Sequence, residues 1–177
     1  AGRVLYFHHP PYVTEATKWH QGQTLAVRHH LRWVLDGVAE AVGSLATGRP
    51  LVDLVLSGHA HCLEYLRTLD TGHADAHLNW MVVGGSGFSL RRQRPEGPEL
   101  TELFPVLENT KQMQSRRVAK SQLYVGLSGH KLNRRRPYSF ARIDVQAGCP
   151  PKFIVRPFVS ERYHQHWSDR ALSPFTL

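Results

Sequence analysis

Apolar positions in the first third of the chain fall into two kinds of block. Arg3-Val4-Leu5-Tyr6-Phe7 and Leu51-Val52-Asp53-Leu54-Val55-Leu56 are nearly continuous apolar runs, the pattern of strands buried on both faces. Between them, Leu31, Val34, Leu35, Val38, Val42 and Leu45 recur at i, i+3 and i+4, which predicts an amphipathic helix. Thr24 is its expected N-cap, and Gly48-Arg49-Pro50 is its expected stop. Pro10-Pro11 ends the first strand, because proline cannot donate to a ladder, and residues 12–23 are polar and mixed, a loop. Strand, helix and strand in this order form a crossover unit of a parallel sheet.

Beyond residue 60 the pattern turns to strands. Cys62 to Thr68 and Asn79 to Val83 are predicted strands joined by the hairpin loop Asp70–His77. Their short connection predicts an antiparallel edge. Residues 91–122 are expected to be a surface excursion, with Arg91, Arg92, Arg94, Pro95 and Pro98, a short helical stretch over 99–107, and a charged segment over 111–120. Gln122–Leu127, Tyr138–Val145 and Lys152–Val159 are further β-like runs, and the tail from Glu161 onward is expected to pack loosely. The resulting division is a core unit over 1–90, the excursion over 91–122, and a β-rich segment over 123–177 that completes the domain.

Composition narrows the classes. A chain of 177 residues with 41% hydrophobic content can bury one core. No segment approaches the roughly 20 apolar residues of a membrane span. The two cysteines, Cys62 and Cys149, are far apart and lack a C-x-x-C partner. That argues against a disulfide framework and for a reducing, cytoplasmic setting. The net charge of +8 and the runs Arg91-Arg92 and Arg134-Arg135-Arg136 invite a nucleic-acid reading. Basic runs are more commonly solvated loops, so nucleic acid is not the favoured partner.

The chemistry concentrates in histidine. The first strand runs into His8-His9-Pro10-Pro11 and the second into Gly58-His59-Ala60-His61. Neutral imidazole is the commonest metal ligand. Residues two apart in extended chain share a face, so His59 and His61 can face one site and touch one metal, or two metals held about 3.5–4 Å apart. Gly58 is expected to allow a sharp turn before the first ligand. Gly84-Gly85-Ser86-Gly87 lacks the lysine and spacing of a phosphate loop and reads as a tight turn behind the histidines. His29 and His30 are expected on the solvated side of the helix, and His73 and His77 in a solvated hairpin.

Phe7-His8-His9-Pro10-Pro11-Tyr12, the helix, Leu56-Ser57-Gly58-His59-Ala60-His61 and then Trp80-Met81-Val82-Val83-Gly84-Gly85-Ser86-Gly87 together resemble the C-terminal half of a calcineurin-like metallophosphoesterase. That superfamily includes the purple acid phosphatases and Ser/Thr phosphatases. The resemblance covers roughly residues 3–90. It implies an α/β sandwich with mixed sheets whose N-terminal half is absent from this chain. It also implies two divalent or trivalent metal ions (Mn, Fe or Zn) and hydrolysis of phosphate mono- or diesters by hydroxide made from a metal-held water. Carried over, His8 and His59 would ligate one metal and His61 the other. Alternation puts Tyr6 and His8 on one face, which assigns the metal to His8 and leaves His9, with His20 from the following loop, to line the substrate cleft.

The Asp-x-His, Gly-Asp and Gly-Asn-His that the family places ahead of its first His-ending strand are not found ahead of it here, so no catalytic acid is named. The chain opens Ala1-Gly2-Arg3 directly at the His-ending strand and reads as the back half of a longer protein. The missing half of that protein is its expected partner, and the fragment alone is expected to be inactive. Two rival readings are a basic nucleic-acid-binding module with structural histidines and a scaffold of the same fold without catalysis.

Overall fold

The computed structural model describes residues 1–43, 50–106, 111–163 and 165–177. Leu45, Gly48, Arg49 and Leu107 of the expectations above lie outside them. The chain is mixed α/β, with one long helix and two sheets, the first of them mixed. Its elements are β1 (Val4–Phe7), α1 (Gly22–Val42), β2 (Leu54–Ser57), β3 (Leu63–Thr68), β4 (Asn79–Val83), β5 (Glu99–Pro105) and β6 (Met113–Val125). Then come β7 (Tyr138–Gln146), β8 (Lys152–Tyr163), β9 (His166–Ala171) and β10 (Phe175–Thr176). The first sheet has the order β1-β2-β4-β3-β6-β5. β1, β2 and β4 run parallel, and β3, β6 and β5 continue the sheet antiparallel. In the second sheet β8 lies between β7 and β10, and β9 also pairs with β8.

Two apolar clusters separate three layers. Leu35 and Ala39 of α1 and Tyr12 and Val13 of the loop before it meet Val55, Leu66, Trp80, Val82, Leu100 and Val118 on one face of the first sheet. Leu54, Leu63, Met81 and Val125 on the other face meet Phe153, Val155 and Val159 of β8. The two faces of β2, β3 and β4 are both covered, which explains their apolar runs.

The helix is real, but its buried stripe differs from the expected one. Thr24, Arg28, Leu35 and Ala39 are buried, while Val34, Val38 and Val42 are exposed. The reason is a polar network that the helix brings to the sheet. Arg32 Nη1 donates to Glu102 Oε2 at 2.7 Å and Arg32 Nε to Asp75 Oδ2 at 3.0 Å. Arg28 also donates to Glu102, and the Tyr12 hydroxyl donates to Asp75. Buried guanidiniums of this kind are tolerated only when paired. Thr24 is not the N-cap: α1 starts at Gly22 after Gln21, with no side-chain cap. Its end is Gly43, at φ 61°, whose N–H reaches the carbonyls of Ala39 and Glu40.

Residues 91–122 also depart from expectation. The segment expected to be helical over 99–107 forms β5, and the charged segment 111–120 forms most of β6. Arg117 pairs with Glu99 across these strands at 3.0 Å, so the charges decorate an edge hairpin. The tail is not loose, because β9 and β10 both pair with β8 and Phe175 stacks on Tyr65 at 4.6 Å.

Candidate metal centre

Parallel register brings the histidines together. Phe7 is opposite Ser57, and Ser57 is opposite Val82, so β1, β2 and β4 end at one edge. The next residues of each strand therefore leave the sheet side by side, the usual place for a site in a parallel sheet. The Gly58 N–H donates to the His8 carbonyl at 3.0 Å and ties the first two exits together.

His8, His9 and His59 each place a ring nitrogen within 4.8 Å of the others. His59 Nδ1 lies 3.3 Å from His8 Nε2, and the His9 and His59 rings are 4.2 Å apart. Three neutral nitrogens at this spacing can close on one ion. His59 Nε2 is buried and has no hydrogen-bond partner among the described residues, a costly position unless a hydrogen-bond partner or an ion engages it. Burial pulls the His59 imidazole down to about 4, and the charges of Lys18 and of His9, His8 and His61 add to the effect. His9 is lowered as well, first by burial and then by His8 and Lys18. His59 is thus neutral at pH 7, the form that ligates.

His9 belongs to the cluster with His8, although alternation separated the two. β1 ends at Phe7 and the chain bends through His8 and His9, so the two-residue period has already lapsed. The sharp turn before the ligand is also displaced. Gly58 is not in the left-handed region, whereas His59 itself has φ 60°, a conformation that costs a non-glycine residue about 1 kcal/mol or more.

His61 stands beside the cluster rather than in it. Its Nδ1 is 3.4 Å from the Ser89 carbonyl. With the proton on Nδ1, Nε2 is left as the free acceptor. His20 lies elsewhere. It stacks on Trp19 at 4.5 Å and lines a cavity of about 500 Å³ with Arg28, Arg32 and Trp33. His29 and His30 are exposed on α1, and His73 pairs with Asp36 at 2.8 Å.

The Gly84–Gly87 turn closes behind His61, with the Gly87 N–H on the Gly84 carbonyl at 3.2 Å. A Cβ on Gly84 would stand 2.1 Å from the Ala60 carbonyl oxygen. Glycine is therefore required for the Gly84–Gly87 turn to approach the His59–His61 backbone. Lys18, in the loop before α1, was given no role by the sequence pattern. Its charge nevertheless acts on both His9 and His59.

Comparison with known proteins adds no relative: no family model, no curated protein and no solved structure matches the chain. No helix among the described residues is long and apolar enough to cross a membrane.

Proposed function

We propose that this edge is the histidine share of a metal-dependent phosphoesterase site, part of a metallophosphoesterase-type α/β sandwich. The observation that carries the reading is the convergence of His8, His9 and His59 from two strand ends, with His59 Nε2 buried and unpartnered. His8, His9 and His59 would hold one ion, and His61, fixed by the Ser89 carbonyl, would face a second. Bound ions supply Lewis-acid polarisation of a phosphoryl oxygen and activation of water. The chain's own residues hold and orient. Gly58 and Gly84 pin the loops, His59 stays deprotonated, and Lys18 adds a positive charge near the histidines that favours a phosphate oxygen. The ligand set is imidazole alone, so affinity and turnover of the isolated chain are low, and carboxylates from a further segment would complete the site.

The test is Zn(II) and Mn(II) binding to the full chain, read by competition with a chromogenic chelator. The expected outcome is a weak, saturable Zn(II) site for one ion whose Kd rises at least tenfold in His59→Ala and in His8→Ala. Binding unaffected by either substitution, or no binding of either metal, overturns the reading.

A further inference from the structure

Two arginine runs that the sequence places far apart line one cavity next to His61. This cavity, of about 410 Å³, is walled by Arg91, Arg92, Arg134 and Arg136, with Phe88, Ser89 and Glu15 among the remaining residues. It is continuous with the histidine edge through the backbone, since Ser89 accepts from or faces His61 Nδ1 at 3.4 Å and the Arg91 N–H donates to the His61 carbonyl at 3.0 Å. Four arginines and one acidic residue, Glu15, are among its lining residues. Glu15, which is buried, is already engaged by the Thr17 N–H at 2.8 Å and the Thr17 hydroxyl at 3.0 Å. Arg92 donates to the Gly129 carbonyl, which fixes one wall. The side chains of Arg91, Arg134 and Arg136 form no ion pair among the described residues, and all three are exposed. Phe88 is 85% exposed at the rim.

We infer that this cavity binds a second phosphate group of the substrate, so that the molecule taken by the histidine edge carries at least two phosphate groups, with triphosphate and ATP as its probes. The inference rests on the phosphoesterase reading for what happens at His59 and His61. The recognition itself follows from the arginines. Planar guanidinium forks match phosphate oxygens two at a time, and several of them around one concave wall select a multiply charged anion over a single one. Structural roles of the four arginines do not exhaust their donors. Isolated solvated basic loops would not bring Arg91 and Arg92 together with Arg134 and Arg136 at one concavity. Phe88 offers a face on which the base of a nucleotide can stack.

The experiment is calorimetric titration of the full chain with inorganic triphosphate, inorganic phosphate and ATP in metal-free buffer at two salt concentrations. Triphosphate is expected to bind at least tenfold more tightly than phosphate, with affinity falling as salt rises. Arg134→Gln with Arg136→Gln is expected to weaken triphosphate binding about tenfold or more. Lys152→Gln with Arg170→Gln, an equal charge loss on exposed positions outside the cavity, should leave it unchanged. ATP binding more tightly than triphosphate, with the difference lost in Phe88→Ala, assigns the source as a nucleotide. Equal affinities assign a polyphosphate without a base contact, and either supports the site. Equal weakening by the two double substitutions, or none by the first, overturns it. His59→Ala separates the two readings: it should weaken metal binding at least tenfold and leave triphosphate binding intact.

Discussion

Replacing Glu64 by Gln should remove the pH dependence that this one side chain imposes on stability. Glu64, on β3, is completely buried. The Thr14 N–H donates to its two oxygens at 3.2 and 3.0 Å, and the Thr14 hydroxyl also donates to it. Burial is the largest influence and raises the carboxyl. The hydrogen bonds from Thr14 and Ser121 pull it back, and the neighbouring Glu15 raises it further, leaving it at about 7 against an ordinary 4.5. Below pH 4.5 the folded and unfolded chains both carry the proton. Between 4.5 and 7 the unfolded chain releases it while the folded chain keeps it, so stability falls as pH rises. The difference between 4.5 and about 7 corresponds to a loss of about 3 kcal/mol, complete above pH 7. His59, whose imidazole is lowered to about 4, acts in the opposite sense: its contribution is present above 6.5 and is lost as pH falls toward 4. Glutamine keeps an acceptor for Thr14 and cannot ionise, and it leaves the His59 contribution in place. The assay is urea unfolding of both proteins from pH 5 to pH 8.5, taking the difference at each pH. Glu64→Gln should be near neutral or mildly destabilising at pH 5 and relatively more stable by about 2–3 kcal/mol at pH 8.5. A difference that stays constant across the range would mean that Glu64 titrates as an ordinary carboxylate, and the burial argument would fail.

Three further outcomes follow from the geometry. Because His59 sits at φ 60°, His59→Gly should be more stable than His59→Ala by about 0.5–1 kcal/mol in thermal or urea unfolding, although both lose the ligand. The reverse order would remove the strain from the account. Glu102→Gln leaves Arg28 and Arg32 short of their shared counter-charge and should cost about 3 kcal/mol by denaturant titration. A loss below about 1 kcal/mol would show that Asp75 and Tyr12 suffice for both. β1 forms one edge of the sheet with Val4 44% and Tyr6 80% exposed, which favours association through that edge. Light scattering should show self-association that Tyr6→Lys reduces, and a monodisperse monomer at millimolar concentration would count against it.

The crossover unit was legible because its elements obey simple periods. Leu54–Ser57 is covered on two faces and so reads as an apolar run, whereas Val4–Phe7, which reads the same way, is an edge strand with Val4 and Tyr6 exposed. The helix between them has an apolar stripe that the 3.6-residue repeat detects. The stripe misled in detail because Val34, Val38 and Val42 are apolar yet exposed, whereas Arg28 and Arg32 are polar yet drawn inward by Glu102, Asp75 and Tyr12. Those partners lie on elements far along the chain, so no local count can register them. The same holds for β5 and β6. Glu99–Pro105 and the charged stretch 113–120 carry little alternation, and they are strands because they pair with each other and with β3.

The candidate site divides along the same line. Which sheet edge holds the histidines follows from register alone, since Phe7, Ser57 and Val82 are paired neighbours and each chain continues into the loop beyond. Which histidines meet does not follow, because alternation ceases to apply one residue past the last ladder pair. There the chain bends at His8 and His9 and turns left-handed at His59, and these two events bring His9 in and leave His61 facing the Ser89 carbonyl. The arginine cavity lies a step further from sequence. Arg91 and Arg92 follow the Gly84–Gly87 turn, and Arg134 and Arg136 follow β6, so their meeting depends on how both loops fold over the same edge. Ligand identity at this edge is therefore a property of backbone geometry just outside the sheet, and the sharpest probes of it are substitutions that change that geometry and leave the strands alone.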